Sequence, residues 1–202
     1  MAAPIFWLAA SIFSFAAVRP ASSAPQTSDS VQRLTSECEQ GKFASCGVLG
    51  FIYVSGSGVA KDEARGAALF QRGCDGGDAM GCVGLGHVYW NAHGVAKDEA
   101  RAAALYQRGC DGGAAMGCSS LARLLLLSTT EQPDPKAALV LARKAVQITN
   151  SKDAYYLDTL AWVLYANGLR AEALEAERKA LKLEPDNQKW KERVAFFSKA
   201  VK

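Results

Sequence analysis

The chain has little of what the common enzyme classes are built on. Its 202 residues include only two histidines, His87 and His93. No Cys-x2-Cys pair, His-Glu-x-x-His, Gly-x-Ser-x-Gly or phosphate loop occurs, so the familiar zinc, metalloprotease, serine-hydrolase and nucleotide-binding signatures are missing. Ser-x-x-Lys is absent as well; Thr149-x-x-Lys152 comes nearest, in what reads as an inter-helix loop. Charge of one sign is also scarce. Lys and Arg number 23 against 20 Asp and Glu, a net charge of +3, which carries no argument for nucleic acid or a membrane surface. Long apolar runs are limited to Ile5–Val18, too short for a comfortable membrane span and suited to the apolar region of a secretory signal.

That run has no Lys or Arg before it, and small residues follow at Ala21, Ser22, Ser23 and Ala24. A signal peptide over residues 1–24 is expected, cut after Ser23 or after Ala24; an uncleaved anchor and a mitochondrial route are the alternatives. Removing 1–24 takes away one charge, Arg19, and leaves a net charge of +2. Residues 25–36 are polar and read as a flexible lead-in.

What the chain does have is cysteine in register. Cys38/Cys46, Cys74/Cys82 and Cys110/Cys118 form one C-x7-C pair repeated at an interval of 36 residues. Gly73-Cys74-Asp75-Gly76-Gly77 returns as Gly109 to Gly113, and Gly58 to Arg65 returns as Gly94 to Arg101. A period in this range marks a solenoid, whose units bury their apolar faces only against their neighbours. Lys61–Gln71 and Asp78–Trp90 have helical apolar spacing. Asp75-Gly76-Gly77 breaks the chain between them, and Ser55 to Gly58 breaks it again before Lys61, so each unit reads helix, turn, helix.

Eight residues along one continuous helix would part the Cα atoms by about 12 Å, beyond the roughly 7 Å a disulfide spans. A chain reversal at Gly76-Gly77 brings Cys74 to Cys82. Six cysteines allow fifteen pairings in principle; a bond repeated in register is 38–46, 74–82 and 110–118. Reduced core cysteines in a cytosolic protein are the competing reading. Disulfides and a secretory signal both belong to an oxidising compartment, periplasmic or secreted.

The third unit keeps Leu121 where Leu49 and Leu85 stood, then changes. Ser128 to Pro135 replaces the glycine loop, with Pro135 placed to open a helix. From Ala154 to Asn187 the chain matches a tetratricopeptide unit through Leu157, Leu160, Ala161, Leu164, Gly168, Ala173, Ala180 and Pro185, although Glu177 stands where an aromatic is usual. Residues 188–202 carry Trp190, Val194, Phe197 and Val201 at helical spacing, as a cap on the last open face should.

The repeats resemble a named family. Leu49-Gly50-x2-Tyr53, Gly56-x-Gly58-Val59, Asp62 and Arg65, with Leu85-Gly86-x2-Tyr89, Gly94-Val95, Asp98, Arg101 and Leu105, look like the Sel1-like repeat, over roughly residues 37–144. With C-x7-C in each unit, the subgroup resembled is the Helicobacter cysteine-rich proteins, secreted or periplasmic solenoids bridged within each repeat. Ala92 replaces the first loop glycine of the second unit, and the third has lost that loop. The resemblance implies an all-α, αα-hairpin solenoid: three Sel1-like repeats over 37–144, a tetratricopeptide-like unit over 145–187 and the cap. It also brings an alternative activity, weak binding or hydrolysis of β-lactams.

In such solenoids the first helix of each unit faces the concave side. The repeat register projects Phe51, His87, Trp90, Arg123, Tyr155, Trp162 and Tyr165 there, a set of aromatics with an interleaved Arg that suits a peptide. The competing reading has these residues packing between neighbouring repeats. No catalytic residue, metal or cofactor is expected. His87 and then Asp158 are the nearest acid/base candidates, and a lone helical histidine is more often a packing or surface residue. The expectation is a protein-interaction scaffold or adaptor with a protein or peptide partner, no nucleic acid, and no stable membrane insertion once the signal is cut.

Overall fold

A computed structural model describes residues 26–128 and 132–201. The expected signal segment, with its expected cleavage after Ser23 or Ala24, lies outside the described residues. Ten helices run along the described chain: α1 (Gln26–Glu39), α2 (Phe43–Ser55), α3 (Glu63–Asp75), α4 (Ala79–Asn91), α5 (Glu99–Asp111), α6 (Ala115–Leu127), α7 (Pro135–Ile148), α8 (Ala154–Ala166), α9 (Arg170–Leu183) and α10 (Gln188–Ala200). The closest neighbours are the hairpins α2/α3, α4/α5, α6/α7 and α8/α9. Helices α2, α4, α6 and α8 also pack against one another in sequence along the stack, while α3, α5, α7 and α9 lie farther apart and are bridged by side chains such as Arg108, Lys144 and Arg143. The more closely packed row is the inside of the curve.

Local chemistry explains where several of the helices start. Asp62 and Asp98 accept hydrogen bonds from the backbone N–H of Arg65 and Arg101, both at 2.9 Å. Asp134 caps α7 from the Ala137 N–H at 2.9 Å, with Pro135 in the first turn. Asp153 and Asn187 cap α8 and α10 in the same way. Gly56 ends α2 in the left-handed region at φ 71°. Its counterpart 36 residues on is Ala92, held at φ 57°, where an L side chain costs about 1 kcal/mol.

The bridges form as the register requires. Cys38–Cys46, Cys74–Cys82 and Cys110–Cys118 are bonded with Cα separations of 4.9, 4.4 and 4.5 Å. Each joins the last turn of one helix to the first turns of the next, at a repeat junction. All six sulfurs are buried.

One expectation needs correcting. The stretch read as a flexible lead-in over 25–36 is helical from Gln26, as the start of α1. Val31 and Leu34 lie on the side of α1 that carries Cys38, and they pack against Cys46, Leu49 and Tyr53. The polar composition of the segment hid this spacing; the helix forms because the first staple and that cluster hold its apolar side.

The core is a chain of small clusters along the stack. One gathers Phe70, Cys74, Cys82, Leu85 and Val88. The next holds Val83, Ala102, Tyr106, Leu121 and Leu124, and another centres on Ala161, Leu164, Ala173 and Phe197. Helices such as α4 and α8, with neighbours on several sides, are accordingly apolar around most of their circumference.

Candidate functional site

The inner row positions most of the projected residues in two adjoining hollows. The first, about 260 Å³, lies between α4 and α6 and is lined by His87, Trp90, Asn91, Tyr106, Ser120, Arg123, Leu124 and Leu127. The second, about 590 Å³, opens between α6 and α8 under α10. Arg123 and Leu127 line both, so the two hollows adjoin.

Repeat packing explains the first hollow. Phe70 of α3 fills the space left by Gly50, and 36 residues on Tyr106 fills the space left by Gly86, where an added Cβ would sit 2.6 Å from the ring. Unlike Phe70, Tyr106 carries a hydroxyl, which reaches through to His87 Nδ1 at 2.9 Å. The two rings meet edge to face at 5.1 Å. Burial, reinforced by the Arg123 charge, pushes the His87 pKa below its ordinary value and keeps the ring neutral. Burial also pushes the Tyr106 hydroxyl well above the usual tyrosine range. His87 therefore sits as a neutral, tyrosine-bonded residue at the groove edge.

The second hollow is built on an aromatic knot. Trp162 meets Phe196 at 5.4 Å, Phe197 at 5.2 Å and Tyr165 at 6.3 Å between ring centroids, which fixes α10 against α8. Leu126, Leu127, Val163 and Pro135 supply an apolar lining. Three cations stand around it. Arg123 donates to the Tyr155 hydroxyl at 3.0 Å. Arg193 forms an ion pair with the buried carboxylate of Asp158 and lies 5.3 Å from the Trp162 ring. Lys189 stands 3.9 Å from the same carboxylate and 4.4 Å from the Trp190 ring.

Of the residues projected from the sequence, His87, Trp90, Arg123, Trp162 and Tyr165 line the two hollows, and Tyr155 joins them through its hydrogen bond from Arg123. Phe51, 63% exposed on α2, lines neither hollow. Trp162 and Tyr165 also do packing work, since both are engaged by α10. Lys189, Arg193, Leu126, Leu127 and Pro135 were not foreseen. The 36-residue register stops short of α10, so only the docking of the last helix brings its cations over the groove.

Comparison with known proteins agrees with this architecture. The Sel1 repeat family model matches residues 44–78 and 79–113. No curated protein matches the sequence. Among solved structures, a Sel1 repeat protein from Oxalobacter formigenes superposes with a TM-score of 0.60 at 25% identity, over 85% of this chain and 64% of its own. A protective antigen present in uropathogenic Escherichia coli strains, with an SLR fold, gives 0.67 at 20% identity over 75% of this chain and 33% of its own. MamA of strain AMB-1 gives 0.50 at 16% identity, covering 86% and 81%. This chain thus spans less than two thirds of the length of the first two. With tandem matches over α2/α3 and α4/α5 and the same stacking continued by α6 to α10, the chain is an αα solenoid carrying Sel1 repeats.

Proposed function

We propose that this chain is an exported interaction scaffold that holds a polypeptide in the groove along α4, α6 and α8. The observation that carries the reading is the alignment of the two hollows: aromatic and apolar side chains from three successive inner helices line them, with Arg123 shared between the two. Large, rigid side chains with few rotamers give contact area at low entropic cost, which is the chemistry of peptide anchors. Three buried disulfides are stable in an oxidising compartment, so a periplasmic or secreted setting fits the chain, as does the Helicobacter cysteine-rich subgroup.

Photocrosslinking tests the groove directly. A photoreactive residue at Leu127 should trap a discrete polypeptide from an envelope extract of the producing organism. The same group at Val140, exposed on the outer row, should not. Equal trapping at both positions would sink the reading. The β-lactam alternative draws no support from the groove, where the hydrogen-bond partner of His87 is a tyrosine. Nitrocefin turnover should not exceed that of a heat-denatured control.

A further inference from the structure

The cations around the groove are partnered differently from several on the outer row. On the outer row, exposed cations stand beside exposed carboxylates: Arg143 with Glu172 at 3.2 Å, Lys144 with Asp111 at 3.2 Å and Lys179 with Glu175 at 2.8 Å. In the groove, Arg193 and Lys189 of α10 lie against Asp158, and Lys189 also stands within electrostatic reach of Glu177 and Glu184, whereas Arg123 of α6 has no ion pair among the described residues. Asp158 lies beneath them, 6% exposed and bound to Arg193, and is not among the residues that line the open trough. The hydrogen bond of Arg123 goes to a neutral phenol. Arg123 therefore presents a positive charge that no carboxylate among the described residues pairs. Burial, and after it the repulsive charge of Arg123, lowers the proton affinity of Arg193, a sign that the two guanidinium groups share the same poorly screened space.

From this arrangement we infer that the segment held in the groove is acidic: a peptide whose Asp or Glu side chains meet Arg123 and Lys189 while its apolar side chains lie on Leu126, Leu127 and Trp162. The inference rests on the peptide-binding reading above and adds the chemistry of the partner. Arg193 is committed to Asp158 and holds α10 in place, which leaves Arg123 and Lys189 to approach a ligand. A carboxylate reaching both would gain two charge-assisted bonds. The trough floor is apolar, and the cations cluster around its second hollow without extending as a stripe along the stack. That suits a short acidic, apolar motif better than a nucleic-acid backbone, which needs a continuous line of phosphate contacts.

The test uses the full disulfide-bonded protein and three short fluorescein-labelled peptides with the same Leu and Phe residues, interleaved with Glu, Gln or Lys. Fluorescence anisotropy should show the Glu peptide binding about tenfold tighter than the Gln peptide or better, and the Lys peptide weakest. Added salt should erode that preference. Arg123→Gln should cut the preference for the Glu over the Gln peptide several-fold, and Arg123→Gln combined with Lys189→Gln should abolish it. Equal binding of Glu and Gln peptides would overturn the acidic assignment and leave the peptide groove standing. Failure of all three to bind also overturns the assignment, and crosslinking at Leu127 then decides separately whether any polypeptide occupies the trough. A single-stranded oligonucleotide that displaces the Glu peptide at lower concentration than unlabelled Glu peptide does would equally overturn it, by making the trough a general polyanion site.

Discussion

Glu177 of α9 is fully buried, and neither carboxylate oxygen has a hydrogen-bond partner among the described residues. It occupies the position where a tetratricopeptide unit usually carries an aromatic, so a charged group has been set into an apolar slot. Burial raises its pKa from the ordinary 4.5 to about 7, with the charge of Lys189 opposing the shift. The folded state therefore binds this proton more tightly than the unfolded chain. The stability that the bound proton confers is complete below the unfolded value near 4.5 and is lost as pH rises through about 7. Glu177→Gln should remove that slope and raise stability at pH 8 by on the order of 2 kcal/mol, with little effect at pH 4. Urea denaturation at both pH values checks it; an equal change at both would show that the carboxylate is not the cause.

At the scale of the element, two consecutive repeats solve the same helix start differently. Asp78 caps α4, accepting from the Gly81 N–H at 2.9 Å, and its carboxylate lies where a Cβ on Gly47 would be, 2.4 Å away. In the next unit the corresponding residues are Val83 and Ala114: Val83 is buried and fills that space, and α6 begins at Ala114 with no side-chain cap. The two positions are thus sterically linked. Ala114→Asp alone should fail to stabilise α6, because the carboxylate meets Val83. In a Val83→Gly background the same change should recover a cap of about 1 kcal/mol. A double-mutant cycle by chemical denaturation should show a coupling near 1 kcal/mol, and additive effects would refute the link.

For the molecule as a whole, stability is distributed as in other solenoids, through junctions between neighbours. Each junction from α1 to α6 that carries a staple closes a short loop, worth about 2.5 kcal/mol in the chain-entropy account. The junctions α7/α8 and α9/α10 have none and depend on packing around Trp190 and Phe197. Non-reducing peptide mapping should return 38–46, 74–82 and 110–118. Reduction should lower the thermal midpoint, and hydrogen exchange should rise more over α1 to α5 than over α8 to α10. Uniform deprotection would mean that the solenoid melts as one unit.

The helical hairpins, their boundaries and the pairing of the cysteines were legible in the sequence because each depends on local features: a 36-residue period, Asp and Pro at helix starts, Gly at reversals, and a sulfur reach too short for distant partners. Most of the inner-row residues could also be placed, since register along a regular stack converts position into facing direction. What the period could not supply were the relations outside it. The helical state of residues 26–36 depends on burial of Val31 and Leu34 against the first repeat. The arrival of Lys189 and Arg193 over the groove depends on how Phe196 and Phe197 seat α10 on Trp162. Isolation of Phe51 from the trough depends on where α6, α8 and α10 converge. Repetition is a local property and can be read along the chain; the charge gathered at the last turn of the stack arises from contacts between helices that the repeat does not relate, and only the packed structure decided it.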